Sequence, residues 1–272
     1  MKIIKLLLLP FIVLTQVSVS KAETSILVQS TTSTRNSGLY DYILPIAEKE
    51  LGISVRVVAV GTGAAIKNAM NCDGDVLLVH SRKREDKFVA DGYAEKRYDL
   101  MYNDFVIIGP KSDPAMIADL TDASEAFKKI AKSKAIFVSR GDDSGTHGKE
   151  KSIWKQAGVS EKKSSGTWYR EAGAGMGETL NLAVGIGGYT LADRASWEAY
   201  GNKGTHQIVV EGDKRLFNPY GVMLISKEKC PSVKSLEGQR FVDWLISPNG
   251  QKAIGSFTVK GKQLFFPNAS TQ

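Results

Sequence analysis

Three stretches of the chain combine hydroxyl residues with glycine: STTSTRNSG at 30–38, VGTGAA at 60–65 and SRGDDSGTH at 139–147. Each follows a short β-branched run and precedes residues with helical spacing, so each reads as a strand-to-helix junction. Chemistry at such a junction follows from its parts. The start of a helix presents N–H groups without intrahelical acceptors and a partial positive charge, glycine lets backbone approach a ligand, and Ser or Thr adds a rotatable O–H. In open α/β sheets these junctions lie beyond the carboxyl ends of the strands, where ligands bind. Three of them converging would form a cage of hydrogen-bond donors, suited to a small tetrahedral oxyanion. Arg140 supplies a fixed cation in the third of them, and a guanidinium matches oxyanion geometry. The plainer alternatives are helix caps made by the Ser, Thr and Gly residues, and a salt bridge from Arg140 to Asp142 or Asp143.

Catalytic chemistry fits the same residues poorly. Ser144, His147 and Asp142 or Asp143 suggest an exported esterase or phosphatase, but GDDSG puts Asp142 where the G-x-S-x-G elbow needs glycine. His147 would also share a helical turn with Ser144, whereas triads gather residues from separate segments. GTGAAI lacks the third glycine of a dinucleotide fingerprint, and no G-x-x-x-x-G-K-[ST] is present. The glycine-rich AGAGMGET at 172–179 is either a hinge-side loop or a fourth helix start facing the cleft. His80, His147 and His206 are too scattered to suggest a metal site, so neither metal nor cofactor is expected.

The elements that must hold these junctions alternate. β-rich runs at 26–28, 54–60, 75–79, 104–109, 135–139, 206–210 and 221–226 are interleaved with helical patterns at 38–51, 64–70, 122–133, 146–158, 178–186 and 194–200. This predicts an α/β protein with largely parallel sheets. The apolar runs 104–109 and 221–226 sit at natural crossing points between two domains. Residues 1–22, MKIIKLLLLPFIVLTQVSVSKA, have the lysines, short apolar run and small-residue end of a secretory signal peptide, with the mature chain starting at Glu23. The apolar run is about half of the roughly 20 residues a spanning helix needs.

Composition agrees with a globular, exported protein. The 272 residues are 42% hydrophobic and 24% charged, which excludes disorder and collagen-like structure. The net charge of +7 includes Lys2, Lys5 and Lys21 of the leader, and without them 33 basic residues face 29 acidic ones. An excess that small suits a protein that meets a small anion as well as one that touches a polymer, and no nucleic-acid partner is expected. Cys72 and Cys230 are far apart in sequence, and a bond needs Cα atoms within about 7 Å. Nothing in the sequence secures that approach, so two free thiols are expected, although an oxidising compartment would permit a bridge.

The motifs themselves resemble a known family. RGDDSGT, Arg140 to Thr146, is similar to the R-x-D-x-S-G-T signature of periplasmic phosphate-binding proteins. The longer series TTSTRNSGL, VVAVGTGAA, DVLLVHSR, GYAEKRYDLMYNDFVIIGP, SRGDDSGTH, GMGETLNLA and GYTLADRASW resembles the tungstate-binding proteins of ABC transporters, in order and over almost the whole mature chain. That resemblance implies a type II periplasmic binding protein fold, with two α/β lobes, a cleft between them and two crossover strands. It places lobe I at 24–104 plus 226–272 and lobe II at 105–225. The implied ligand-binding residues are Thr32, Ser33, Thr34 and Thr62 from the first lobe and Arg140, Ser144, Gly145 and Thr146 from the second. The implied ligand is tungstate, with molybdate or phosphate as alternatives. The implied partner is an ABC permease with its ATPase, in the periplasm, and no reaction is catalysed. Phosphate-binding proteins keep an acidic residue after the third strand to accept the ligand's proton, whereas here DVLLV runs into His80 and Ser81. Tungstate, an unprotonated dianion, needs donors alone.

Overall fold

The structure is a computed structural model that describes residues 24–269. The leader 1–22 lies outside the described residues. Chain order is β1 (Ser25–Thr31), α1 (Thr32–Asn36), α2 (Leu39–Leu51), β2 (Ser54–Val60), α3 (Thr62–Met70), β3 (Val76–Val79), α4 (Arg82–Ala90) and the long β4 (Tyr98–Pro110). Next come α5 (Ala123–Ser133), β5 (Phe137–Ser139), α6 (Gly145–Gln156), β6 (Tyr169–Glu171), α7 (Met176–Gly185), β7 (Thr190–Asp193), α8 (Arg194–Ala199) and β8 (His206–Val210). The chain returns through β9 (Phe217–Leu224) to α9 (Ser235–Ile246) and α10 (Pro248–Ser256).

Two half-molecules share one curled sheet, and β4 is the element that joins them. From Tyr98 to Asp104 it pairs with β9, and from Phe105 onward with β7 and β8. The exchange of partners falls between Asn103, opposite Asn218, and Phe105, opposite Asp193. The first lobe stacks β2, β1, β3, β9 and the start of β4, in that order. All of β9 belongs to this sheet, since Val76 to Val79 pair with Leu224 to Gly221. β9 therefore pairs with β3 and with the start of β4 along its length. In the apolar run 221–226, Val222, Met223 and Ile225 are fully buried.

The expectation of largely parallel sheets needs correction. β1 runs parallel to β2 and β3, and β5 parallel to β6, but β4 is antiparallel to β7, β8 and β9. A strand that carries the chain out of a lobe and one that brings it back must point in opposite directions when they lie side by side. Each lobe has its own core. In the first, Val28, Val76, Leu100, Val222, Phe241 and Phe265 are fully buried. In the second, Phe127, Phe137, Trp154 and Tyr169 form an aromatic cluster, with Phe137 and Trp154 edge-on at 5.1 Å. Burying such rings stabilises the lobe by about 2–3 kcal/mol each, which fixes the helices whose starts line the cleft.

The cysteines also depart from expectation, because Cys72 and Cys230 are bonded, with Cα atoms 5.2 Å apart. Cys72, in the left-handed region at φ 65°, follows the end of α3. Cys230 closes the turn after β9, its N–H donating to Ser226 O. Both turns pack on the same side of the first sheet, in a cluster with Ala69, Met223 and Val233. A separation of 158 residues hides this closeness because the intervening chain leaves for the second lobe and returns. Cross-linking so long a loop is worth about 2–5 kcal/mol. Replacing both cysteines by alanine should lower the calorimetric melting temperature by about 5–15 °C. An unchanged midpoint would mean that the bond contributes nothing.

Candidate functional site

Three helices begin where the lobes face each other. β1 ends in Thr31, and the next turn carries Thr32, Ser33 and Thr34, of which Ser33 and Thr34 are fully buried. Thr31 Oγ1 lies 2.8 Å from Thr34 Oγ1 and 3.2 Å from Ser33 Oγ. α3 follows β2 through Gly61, which puts buried Thr62 at its first position. From the second lobe, β5 leads through Arg140 into a tight loop in which Gly141 and Asp143 take positive φ of 62° and 58°. Ser144 then caps α6, its Oγ accepting from the His147 N–H at 3.1 Å. Arg140, Ser144 and Thr146 are all buried.

The lobes touch through these residues. Gly145 N–H donates to Thr62 Oγ1 across the cleft at 3.0 Å. A Cβ on Gly145 would lie 3.0 Å from both Thr62 Oγ1 and the His80 ring, so glycine is what allows the approach. On the far side Ser196 Oγ donates to Ser33 O at 3.5 Å. The glycine-rich segment 172–179 proves to be a helix start facing the cleft: α7 begins there, and Gly177 looks toward Asn36 of the first lobe. Of the eight residues singled out by the sequence, Ser33, Thr62 and Gly145 make these contacts between the lobes, and the other five lie on the same loops.

Which of their hydrogens are free can be worked out bond by bond. Arg140 Nη2 donates to Asp142 Oδ2, and Asp142 Oδ1 accepts from Ser144 N–H at 3.1 Å. This is the salt bridge considered from the sequence, but its arginine is buried. Arg140 Nε, Thr32 Oγ1 and Thr146 Oγ1 are buried with no partner. Thr62 Oγ1 and Ser144 Oγ each accept a backbone N–H, which leaves their own protons available. Ser33 differs. His80 is buried and its pKa is pushed down to about 4, chiefly by desolvation and further by the charges of Arg140 and Lys149. The ring is neutral at pH 7. Asn218 Nδ2 donates to Asn103 Oδ1 at 2.7 Å, so Asn218 Oδ1 accepts from His80 Nδ1–H at 3.0 Å. His80 Nε2 is then the acceptor, and the Ser33 hydroxyl donates to it at 3.1 Å. Five donors remain uncommitted: Thr32, Thr62, Arg140, Ser144 and Thr146.

The Ser144–His147 pair considered from the sequence is not arranged as a hydrolase site. Ser144 Oγ meets the backbone of His147, while the ring Nδ1 of His147 accepts from Asp143 N–H at 3.1 Å. Ser144 and the His147 ring therefore share no hydrogen bond that could activate this serine as a nucleophile.

The sequence profile of the PBP superfamily domain matches residues 18–249. The tungstate-binding protein TupA of Peptoclostridium acidaminophilum is 41% identical over 94% of this chain and 90% of its own length. The solved tungstate-binding protein TupA from Desulfovibrio alaskensis G20 is 46% identical, covers 91% of this chain and all of its own, and superposes with a TM-score of 0.75. The structure titled as the tungstate ABC transporter from Geobacter sulfurreducens is 46% identical over 86% of this chain and 98% of that one, with a TM-score of 0.78. The chain belongs to the PBP superfamily. Its architecture is the type II periplasmic binding protein fold.

In this PBP-superfamily chain several residues behind the cleft were given no role by the sequence. His80 had a signal, since it directly ends β3 at the carboxyl edge of the sheet. Asn103, Asn218 and Tyr220 had none, because pairing across two strands 115 residues apart joins Asn103 to Asn218, and Tyr220 stacks on His80 at 4.8 Å. Asp193 was also missed. Its Oδ1 caps α8 at 2.9 Å, while Oδ2 is buried without a partner and burial raises the carboxyl's pKa.

The His80 shift makes a stability prediction. The folded protein holds the ring neutral with a pKa near 4 against 6.5 unfolded, so the unfolded chain binds the extra proton in between. Its contribution, about 3 kcal/mol, is complete above pH 6.5 and is lost as pH falls toward 4. Urea titrations of parent and His80→Gln from pH 7.5 to 4 should converge across that window. Parallel curves would show that His80 does not titrate as described.

Proposed function

We propose that this protein captures tungstate in the cleft between its lobes and hands it to an ABC permease driven by its ATPase. The observation that carries the reading is the set of buried donors on facing loops, with Thr32 Oγ1, Arg140 Nε and Thr146 Oγ1 lacking any acceptor. Leaving a donor buried and unpaired costs about 1–3 kcal/mol, more for a charged group. A tetrahedral dianion with four acceptor oxygens answers all of them at once. Thr32, Thr62, Arg140, Ser144 and Thr146 would donate side-chain hydrogens. Ser33 and Thr34 would shape the first loop and offer backbone N–H groups, and Gly145 would hold the lobes in register through Thr62. Asp142 is engaged by Arg140 and by Ser144 N–H, so it is not free to receive a ligand proton as a hydrogenphosphate would require. The resemblance to tungstate-binding relatives supports the same ligand.

Lobe I, 24–104 with the chain from Phe217 onward, and lobe II between them would close around the anion, because donors from both lobes are satisfied together only when the cleft is shut. Residues 1–22 would direct export, and the mature protein from Glu23 would act in the periplasm. Among the described residues no helix is long and apolar enough to cross a membrane. Capture, closure and release break no covalent bond, so the protein binds rather than catalyses.

Calorimetry of the mature protein against tungstate, molybdate, phosphate and sulfate tests this directly. Tungstate should bind most tightly, with molybdate next because its charge and shape are nearly the same. Preference for phosphate or sulfate would overturn the reading. Arg140→Ala should weaken tungstate binding by about 2–5 kcal/mol, the scale of truncating one partner of a buried charge pair. Arg140→Lys should recover part of that loss, having charge but no planar fork. Thr146→Val, which removes one hydroxyl and keeps the shape, should cost about 1–2 kcal/mol. Parent-like affinity in Arg140→Ala that still melts cooperatively would remove Arg140 from the site.

A further inference from the structure

Arg84 lies outside the cage, on the first turn of α4 in the first lobe, yet its guanidinium reaches the loop that carries the second lobe's donors. Nη2 donates to Asp143 Oδ1 at 2.5 Å, and Nη1 donates to Asp143 Oδ2 at 3.2 Å and to Asp143 O at 2.9 Å. Both planar edges of the ion pair are therefore used, with a backbone carbonyl in addition. Asp143 sits between Arg140 and Ser144, in the left-handed region at φ 58°. Its N–H is held by His147 Nδ1, so the clasp grips a rigid part of the loop. Gly63, on the first turn of α3, leaves the necessary room: a Cβ there would lie 2.5 Å from Asp143 Oδ2, 3.2 Å from Asp143 O and 3.1 Å from Arg84 Nη1. The Arg84 hydrogen bonds hold the Asp143 carboxyl below its usual pKa, so the pair stays ionised at neutral pH.

We propose that Arg84 and Asp143 form an interlobe clasp that sets how long the closed cleft stays shut. The pair exists only when α4 of one lobe meets the anion loop of the other. It should therefore slow opening, and with it ligand release, while leaving the first encounter of an anion with the open cleft unchanged. Arg84 is a positioning residue in this scheme: it holds the loop that bears Arg140 and Ser144 without joining the cage. Its side chain is 33% exposed and that of Asp143 63%, so the effect is moderate and is weakened by salt. The clasp rests on the anion-capture reading for its ligand, but closure itself can be measured without one.

Stopped-flow tryptophan fluorescence with sodium tungstate should show Arg84→Gln releasing the anion about 3- to 10-fold faster, with association within about twofold of the parent. Arg84→Lys should fall between the two. Gly63→Ala, which blocks the approach without changing charge, should also speed release. Raising NaCl from 0.05 to 0.5 M should accelerate release from the parent and have less effect on Arg84→Gln. Unchanged release in Arg84→Gln, with normal calorimetric binding, would overturn the proposal. If the parent gives no heat with tungstate, the ligand reading has failed, and small-angle X-ray scattering of the protein alone then decides the clasp. A larger radius of gyration in Arg84→Gln than in the parent supports it, and equal radii overturn it.

Discussion

A hydrogen-bond donor held in a protein interior without an acceptor opposes folding, and the cleft holds several from two separate lobes. Thr32 Oγ1 is on one side, and Arg140 Nε and Thr146 Oγ1 are on the other. Everything around them serves to keep those donors unpaired with one another and aimed into a shared space. Each lobe meets the cost with its own apolar core, so neither depends on the cleft for its stability. Polar residues nearby are tied to fixed partners, which stops them from competing for the donors. Asp142 is engaged by Arg140 and Ser144, Ser33 by His80, and His80 in turn by Asn218.

The last of these ties joins the binding surface to the connection between lobes. Asn218 and Asn103 are opposite each other on β9 and β4, next to the point where β4 exchanges one lobe's partners for the other's. Desolvation keeps His80 neutral, and Asn218, whose Nδ2 is taken by Asn103, offers its Oδ1 and so sets the tautomer that donates to Asn218 and accepts from Ser33. A charged imidazole there would need two acceptors and would place a cation behind the cage. The buried hydrogen-bond chain thus fixes the direction of a hydroxyl on α1 from the crossover strands. It is a physical link between the hinge region and the anion surface.

Ionic contacts across the cleft are of a different kind. Arg84–Asp143 is partly exposed, as is Lys262 where it meets Glu198 of α8 at 3.0 Å. Pairs in such positions give modest free energies and form without a large desolvation cost. That suits a cleft that must open again. A buried pair such as Glu85–Arg97, which lies inside the first lobe, would make reopening expensive because breaking it leaves buried charge uncompensated.

Local patterns in the sequence determined a good deal. β2 and β8 were read with their observed limits, and the three hydroxyl–glycine junctions were recognised as helix starts, because period-two and helical spacing and capping residues act within a few positions. The eight residues assigned to the cleft came from those junctions together with a family resemblance. Tertiary structure alone decided the rest. Strand direction around β4, the pairing of β9 and the Cys72–Cys230 bond depend on where the chain goes between distant segments. The commitment of Ser33 to His80, and the clasp from Arg84 to Asp143, join residues 47 and 59 positions apart. Spacing along a chain limits which residues can share a turn, but a hydrogen bond is settled by a few tenths of an ångström in space, and only packing of the two cores fixes that.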